Sequence, residues 1–260
     1  VAEVDERFVR RWVERLRAEV PDAVAVFLGG SRLRGDAGPY SDVDFNVLVA
    51  DGPRDEWPAW FDDGICVSTW IRDIDTWRAA QREPQGWAFG LPCADRLRLY
   101  WADHVWRERL DVTEVRYPAA EPEIDHFEGS LGKVANAWAS GDPLSLRLAG
   151  QDLARAVISL VQPLNEGPPV FSRVAALHTL LDFAVVPLGY RDAMLTCLGL
   201  AERYAGPDDV FAAAGSLARG VLGLIEEHVS TFTALLPADA AGWLSDGSLR
   251  QYVERALPVG

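Results

Sequence analysis

Lysine is almost missing from this chain. Lys133 is the only one among 25 basic residues, which face 39 acidic ones and leave a net charge of −14. Arginine in place of lysine on this scale, beside abundant Ala, Val and Gly, reflects GC-rich coding bias rather than chemistry. The shortage of positive charge still excludes something. An acidic surface repels phosphate backbones, so no nucleic-acid partner is expected, whereas a cationic small molecule would be concentrated around it. Cysteine is sparse too. Cys66, Cys93 and Cys197 are odd in number, far apart and without a Cys-x-x-Cys, which excludes a disulfide scaffold and a cysteine-based zinc site and leaves three small apolar residues. His104, His126, His178 and His228 have no metal-ligand spacing. No run of about 18 apolar residues exists, so no membrane span is expected. The first seven residues are charged and lack the basic-then-apolar pattern of a leader, which makes the cytoplasm the expected location. Serine-nucleophile elbows, Walker loops and dinucleotide glycine fingerprints are absent as well.

What is present suits one large domain or two modest ones: 260 residues, 49% hydrophobic, enough to bury a proper core. Phe8, Trp12, Val13, Leu16 and Val20 recur at three- and four-residue spacing, predicting an amphipathic helix over 5–20 that Pro21-Asp22 ends. Strands are predicted over 24–28, 42–49, 64–71 and 97–101, with a helix over 73–81. Residues 51–63 read as a connection with a helical turn, 105–117 are ambiguous, and 118–122 read as a linker between domains. From residue 124 the strand signals vanish. Helices are predicted over 124–139, 144–164, 170–184, 189–204, 208–235 and 248–256, and the short loops between them imply an antiparallel bundle. The expected class is therefore α+β, with a sheet-bearing domain over 1–118 and a helical C-terminal domain over 119–260.

The most informative stretch lies at 27–49. An apolar run stops at Gly29 and Gly30, Ser31 follows at once, and eleven residues later come Asp42, Val43 and Asp44 before a second apolar run. A glycine turn lets backbone approach a bulky anion, and residues 31–33 open a short helix beside it. Asp42 and Asp44, two apart on a strand, point to one face. Two such carboxylates repel each other unless a cation lies between them, and oxygen-only ligation of that kind suits Mg2+ carried on phosphates. A Gly-Gly-Ser alone would be an ordinary turn; the whole constellation in this order is not.

That constellation strongly resembles the nucleotidyltransferase superfamily, whose signature is an apolar residue, Gly, Gly or Ser, Ser, a spacer of about a dozen residues, and Asp-x-Asp leading into a strand. The resemblance implies an N-terminal mixed sheet with flanking helices. It also implies ATP or another NTP as co-substrate, Gly30 and Ser31 on the triphosphate, and Asp42 and Asp44 on Mg2+. Arg32 and Arg34 either add positive charge at the phosphates or are solvated surface residues. The family carries a third carboxylate on the next strand, and alignment of 64–71 places Cys66 or Ser68 there. Asp73 and Asp75 fall beyond the strand end.

Residues 142–200 resemble the helical domain of aminoglycoside and lincosamide nucleotidyltransferases, in Gly141-Asp142, Leu164-Asn165, Pro169 and the stretch 172–181. This implies transfer of a nucleoside monophosphate, AMP first, to a hydroxyl of a small molecule. An antibiotic of the aminoglycoside type fits the acidic surface, and with it a role in resistance. It also implies a helical-domain carboxylate as the acceptor's base. Asp152 is preferred to Glu128 because its helix otherwise reads apolar, so that a charge there needs a reason. Related enzymes build one site from two subunits, which makes a homodimer an expectation as well. Trp57, Trp60 and Trp87 either stack on a base or sugar or belong to the core. Two alternatives follow from the same fold: a nucleotide or ligand binder without transfer, suggested by the missing strand-three acid, and AMP transfer to a protein, which suits shorter chains.

Overall fold

The computed structural model describes residues 4–50 and 52–257, the side chains of Asp239 and Ser245 excepted. Val1 to Glu3, on which the leader reading partly rests, and Asp51, at the head of the expected connection, lie outside the described residues. The chain divides into two compact units. The first comprises Val1–Gln85, Pro92–Ala119 and Pro169–Ser172; the second comprises Gly86–Leu91, Ala120–Pro168 and Arg173–Gly260.

In the first unit, α1 (Glu6–Glu19) begins where the Asp5 carboxylate accepts the Phe8 N–H at 2.8 Å, an N-cap of the ordinary kind. Its buried stripe is Phe8, Val9, Trp12, Val13 and Leu16, side chains whose burial stabilises by about 1.5–3 kcal/mol each for the larger ones. β1 (Ala23–Gly29), the five-residue α2 (Gly30–Arg34) and β2 (Val43–Val49) follow. Then come β3 (Asp55–Glu56), β4 (Ala59–Asp62), β5 (Ile65–Asp73) and α3 (Ile74–Ala80). The unit closes with β6 (Cys93–Arg96), β7 (Arg98–Ala102), α4 (His104–Arg107) and β8 (Glu114–Tyr117).

The main sheet runs β3-β5-β2-β1-β7, with β4 also on β5. β2 and β5 are parallel and the other pairs antiparallel, so the sheet is mixed. Alternation along β2 decides what lies where. Val43, Phe45, Val47 and Val49 join the cluster under α1 with Val26, Leu28, Val67 and Ile71. Asp44 and Asn46 therefore point to the other face, where Phe27 stacks on Trp77 of α3 at 6.3 Å. β6 and β8 form a separate two-stranded sheet, extended by a bridge from Cys93 to Val170.

Several expectations need correction here. The connection after β2 holds two short edge strands rather than a helical turn, and 105–117 resolve into α4 and β8. Residues 170–172 are extended, because Val170 exchanges backbone hydrogen bonds with Pro92 and Ala94.

The second unit contains α5 (Ile124–Ser140), α6 (Pro143–Val161), α7 (Arg173–Leu181), α8 (Tyr190–Leu198), α9 (Pro207–Glu227), α10 (Val229–Leu235), α11 (Ala238–Ser245) and α12 (Ser248–Ala256). α6 is central, packing on α5, α8 and α9. Asp142 caps it through the N–H groups of Leu144 and Ser145. The helix expected over 208–235 is two, broken at His228, and α11 was not expected. No helix among the described residues is long and apolar enough to cross a membrane.

Candidate functional site

The glycine turn and Asp44 meet. Gly29 lies opposite Asp44 in the β1–β2 register. Gly30 then turns with φ +71°, and a Cβ built on it would stand 1.9 Å from Asp44 Oδ2. A residue with a side chain is therefore excluded twice, by conformation and by space. Gly29 is confined from the other side, where a Cβ would meet Leu97 Cδ2 at 3.2 Å and the Arg96 carbonyl at 3.6 Å. Each glycine of the pair thus admits a different neighbour: Gly30 the carboxylate of β2, Gly29 the junction between β6 and β7.

Ser31 stands second in α2, and its carbonyl accepts the N–H groups of Gly35 and Asp36. Arg32 points back along the loop. Its guanidinium donates to the Asp42 carbonyl at 3.0 Å and the Ser41 carbonyl at 2.5 Å, tying the segment that carries Asp42 to α2. Arg34, with its side chain 16% exposed, pairs with Asp36 at 3.2 Å. Asp42 precedes the first residue of β2 rather than belonging to the strand, yet its charge acts on Asp44.

β5 extends to include Asp73, which was expected beyond the strand end, but that acid pairs with Val49 at the far end and no acid stands opposite Asp44. Ser68 faces Asp44 across the parallel register, and Cys66 follows the same face two residues earlier. A further acid whose charge acts on Asp44 is Asp95 on β6. β6 runs straight into β7, whose Arg98 and Leu99 pair with Leu28 and Phe27 of β1, so a residue just before that junction arrives beside the glycine turn. Burial, then the charges of Asp42 and Asp95, push the Asp44 carboxyl up to about 6, against the pull of Arg34 and Arg32. Burial also raises Asp95, which the Arg34 charge and a hydrogen bond from Tyr117 partly offset. Behind it the Cys93 thiol is pushed up to about 12 by burial and by the Asp95 charge, so it is an inert neutral group. The clue in the sequence was the strand expected over 97–101: a carboxylate two residues before a strand on the β1 edge belongs near the turn that ends β1.

This is an excess of half-buried negative charge: the charges of Asp42 and Asp95 act on Asp44, opposed by two arginines that already hold protein partners. Among the described residues no three His, Cys, Asp or Glu side chains converge as a ready-made metal cluster. The donor chemistry nevertheless fits a hard divalent cation that brings some of its oxygen ligands with it, as Mg2+ on phosphates does.

Asp152 lies in the second unit, where its carboxylate is 3.6 Å from the ammonium of Lys133. That pairing supplies the reason for a charge on α6, and the single lysine of the chain is its partner. Glu128, the other base considered, is hydrogen-bonded by Tyr252. Two of the tryptophans are engaged within the first unit. Trp57 stacks on Trp70 at 3.9 Å beneath the Arg72 guanidinium, and Trp60 packs on Trp12 at 5.6 Å. Trp87 sits half-buried in the 3-10 turn Gly86–Ala88 of the second unit.

Residues 9–85 match the nucleotidyltransferase domain family. That segment holds Gly30, Ser31, Arg32, Arg34, Asp42 and Asp44, and it ends before Asp95. The chain is also similar to a solved nucleotidyltransferase-like protein from Exiguobacterium sibiricum 255-15, at 13% identity over 93% of this chain and 90% of that one, with a TM-score of 0.31. A likeness that low carries no argument. No curated protein matches. The nucleotidyltransferase-domain match supports nucleotide transfer in general terms, and the glycine turn against Asp44 lies within the matched segment.

Proposed function

We propose that the first unit transfers a nucleoside monophosphate, AMP from ATP in the first instance, to a hydroxyl of a small cationic molecule. The observation that carries this reading is the closeness of Gly30 to Asp44: backbone able to approach phosphates and a half-buried acid occupy one place. In the reaction the acceptor oxygen bonds to the α-phosphorus, the bond from that phosphorus to the bridging oxygen breaks, and pyrophosphate leaves with the electron pair. Gly30 and Ser31 receive the outer phosphates, and Arg34 adds positive charge near the carboxylates. Arg32 fixes the loop that presents Asp42. Asp42 and Asp44 are the residues that would hold Mg2+, with Asp95 adjoining. When bound, that ion neutralises phosphate charge as it develops.

The acceptor's proton goes to Asp95 in this proposal. Its carboxyl is raised by burial, which brings it toward the range useful to a general base, and it is charge-coupled to Asp44. Asp152 is the competing base from the helical unit, but its carboxylate already has Lys133 as partner. A binder without transfer is the second reading, favoured by Cys66 and Ser68 of β5 standing opposite the acid pair. The net charge of −14 favours a polycationic acceptor, for which an aminoglycoside is the model compound.

The test is pyrophosphate release by the purified chain with Mg2+, each of the four NTPs and a panel of aminoglycosides and neutral polyols. Release with at least one pair, abolished by Asp44→Ala, supports the proposal. Silence across the panel, with ATP still bound, would return the binder reading.

A further inference from the structure

The second unit holds a pocket of opposite character to the chain's acidic surface. It is a cavity of about 230 Å³ lined by the turn at 86–90, the start of α5, one side of α6 and the first residue of α7. Arg155 and Arg173 both line it. Among the described residues neither makes an ion pair with a carboxylate, in a chain where acids outnumber bases 39 to 25. Arg173 is steadied instead by the Phe89 ring, 5.6 Å from its guanidinium carbon, a contact that positions the cation without neutralising it. Glu123 also lines the pocket, but its Oε2 lies 3.1 Å from His126 Nδ1 and is occupied there.

The turn at 86–90, which adjoins Arg173, is held in place. Phe89 has φ +55°, a left-handed backbone that a bulky residue adopts only when its surroundings impose it. Gly90 follows at φ +80°, and its carbonyl accepts the Ala120 N–H at 2.8 Å. A Cβ on Gly90 would press on the Ala120 Cβ at 3.2 Å. Ser159, the remaining hydroxyl of the lining, is already used: it accepts the Glu123 N–H and donates to the Ala156 carbonyl. The pocket thus presents two exposed arginines that have no carboxylate partner among the described residues, beside the turn at 86–90.

We propose that this pocket is an anion site whose ligand is a phosphate group, either free or as a small phosphomonoester, held by Arg155 and Arg173. Guanidinium forks match phosphate oxygens in bidentate geometry, and two of them balance the roughly −1.5 to −2 charge of a phosphate near neutral pH. A single carboxylate would leave one of them unbalanced. The volume is below the roughly 300–1,000 Å³ of ordinary ligand clefts, which limits the ligand to a small one. The residues that line it all belong to the second unit.

The experiment is a titration of the full chain in EDTA, at constant ionic strength, with inorganic phosphate in one arm and glucose 6-phosphate in the other. Binding is followed by calorimetry and by the ring resonance of His126, assigned through His126→Gln. Saturation below about 10 mM is expected, with Arg155→Gln and Arg173→Gln each weakening it by about tenfold or more. Asp44→Asn leaves it unchanged, and acetate at the same concentration does not compete. Tighter binding of the ester identifies a phosphomonoester as the ligand, and tighter binding of phosphate identifies the free ion. A response that never saturates, that survives in the double arginine variant, or that disappears in Asp44→Asn overturns the proposal. The wild-type His126 titration stands even if a variant fails to fold.

Discussion

A methyl carbon on Gly30 would lie 1.9 Å from Asp44 Oδ2, far closer than a non-bonded carbon and oxygen can approach. Because Gly30 also has φ +71°, Gly30→Ala combines a strained backbone with a displaced carboxylate. The expected cost is about 2–4 kcal/mol of stability, and ATP-dependent pyrophosphate release should fall with it. Thermal melts separate the two effects. If Gly30→Ala melts like the wild type and retains full activity, the turn and Asp44 do not share a place.

The Asp44 carboxyl has an ordinary pKa of 3.8 and is raised to about 6 in the folded chain. A group raised in this way contributes stability that is fully present below 3.8 and is lost as pH rises through 6. Asp44→Asn removes that loss. Its melting temperature should match the wild type near pH 4 and exceed it above pH 6, by a difference equivalent to on the order of 1–3 kcal/mol after screening. Millimolar Mg2+ should raise the wild-type melting temperature at pH 7.5 and leave the variant's unchanged. A gap that does not open with pH would show that Asp44 is not buried among like charges.

How far these features could be read from the sequence depends on where their physical cause resides. The stripe of α1 is local, and so is the Gly29-Gly30-Ser31 turn; both were legible from spacing alone, whereas the caps at Asp5 and Asp142 emerge from the structure. Asp42 and Asp44 were legible as a pair, although the strand begins one residue after Asp42. Asp95 was not, because β6 is four residues long and its partner β8 begins 18 residues after it ends, so β6 left no local pattern and only the neighbouring strand expected over 97–101 gave a sign. β4 was hidden for a different reason. Its Phe61 is 81% exposed on a sheet edge, so burial leaves no pattern to read. The break between α9 and α10 at His228 has neither Gly nor Pro to announce it.

Asp95 and Asp152 are separable by substitution. Asp95→Asn keeps an acceptor for the Tyr117 hydroxyl but cannot take a proton, so turnover should fall by about 10²-fold or more, with ATP binding retained. In the wild type the rate should rise as pH passes the raised Asp95 pKa, and this acidic limb should vanish in the variant. Asp152→Asn breaks an ion pair in which Lys133 is 62% and Asp152 39% exposed, so its effect on turnover and on melting should be small. The reverse ranking, measured by steady-state pyrophosphate release, would move the base to the helical unit.

Asn165 is 8% exposed and fully employed within the second unit. Its amide nitrogen donates to the carbonyls of Val161 at 2.8 Å and Val185 at 2.9 Å, and its amide oxygen accepts the Val185 N–H at 2.8 Å. The side chain therefore clamps the end of α6 to the strand-free segment before α8. Asn165→Ala leaves three backbone groups short of a partner where water enters poorly, and the expected loss is about 2–4 kcal/mol. Asn165→Asp should cost more at pH 7, since a carboxylate keeps the acceptor, loses both donors and adds a buried charge. As pH falls and that carboxyl protonates, the aspartate variant should recover part of the deficit, whereas the alanine variant should not. Chemical denaturation of both variants at pH 5 and pH 7 measures the difference, and equal losses at the two pH values would show that the clamp is solvated.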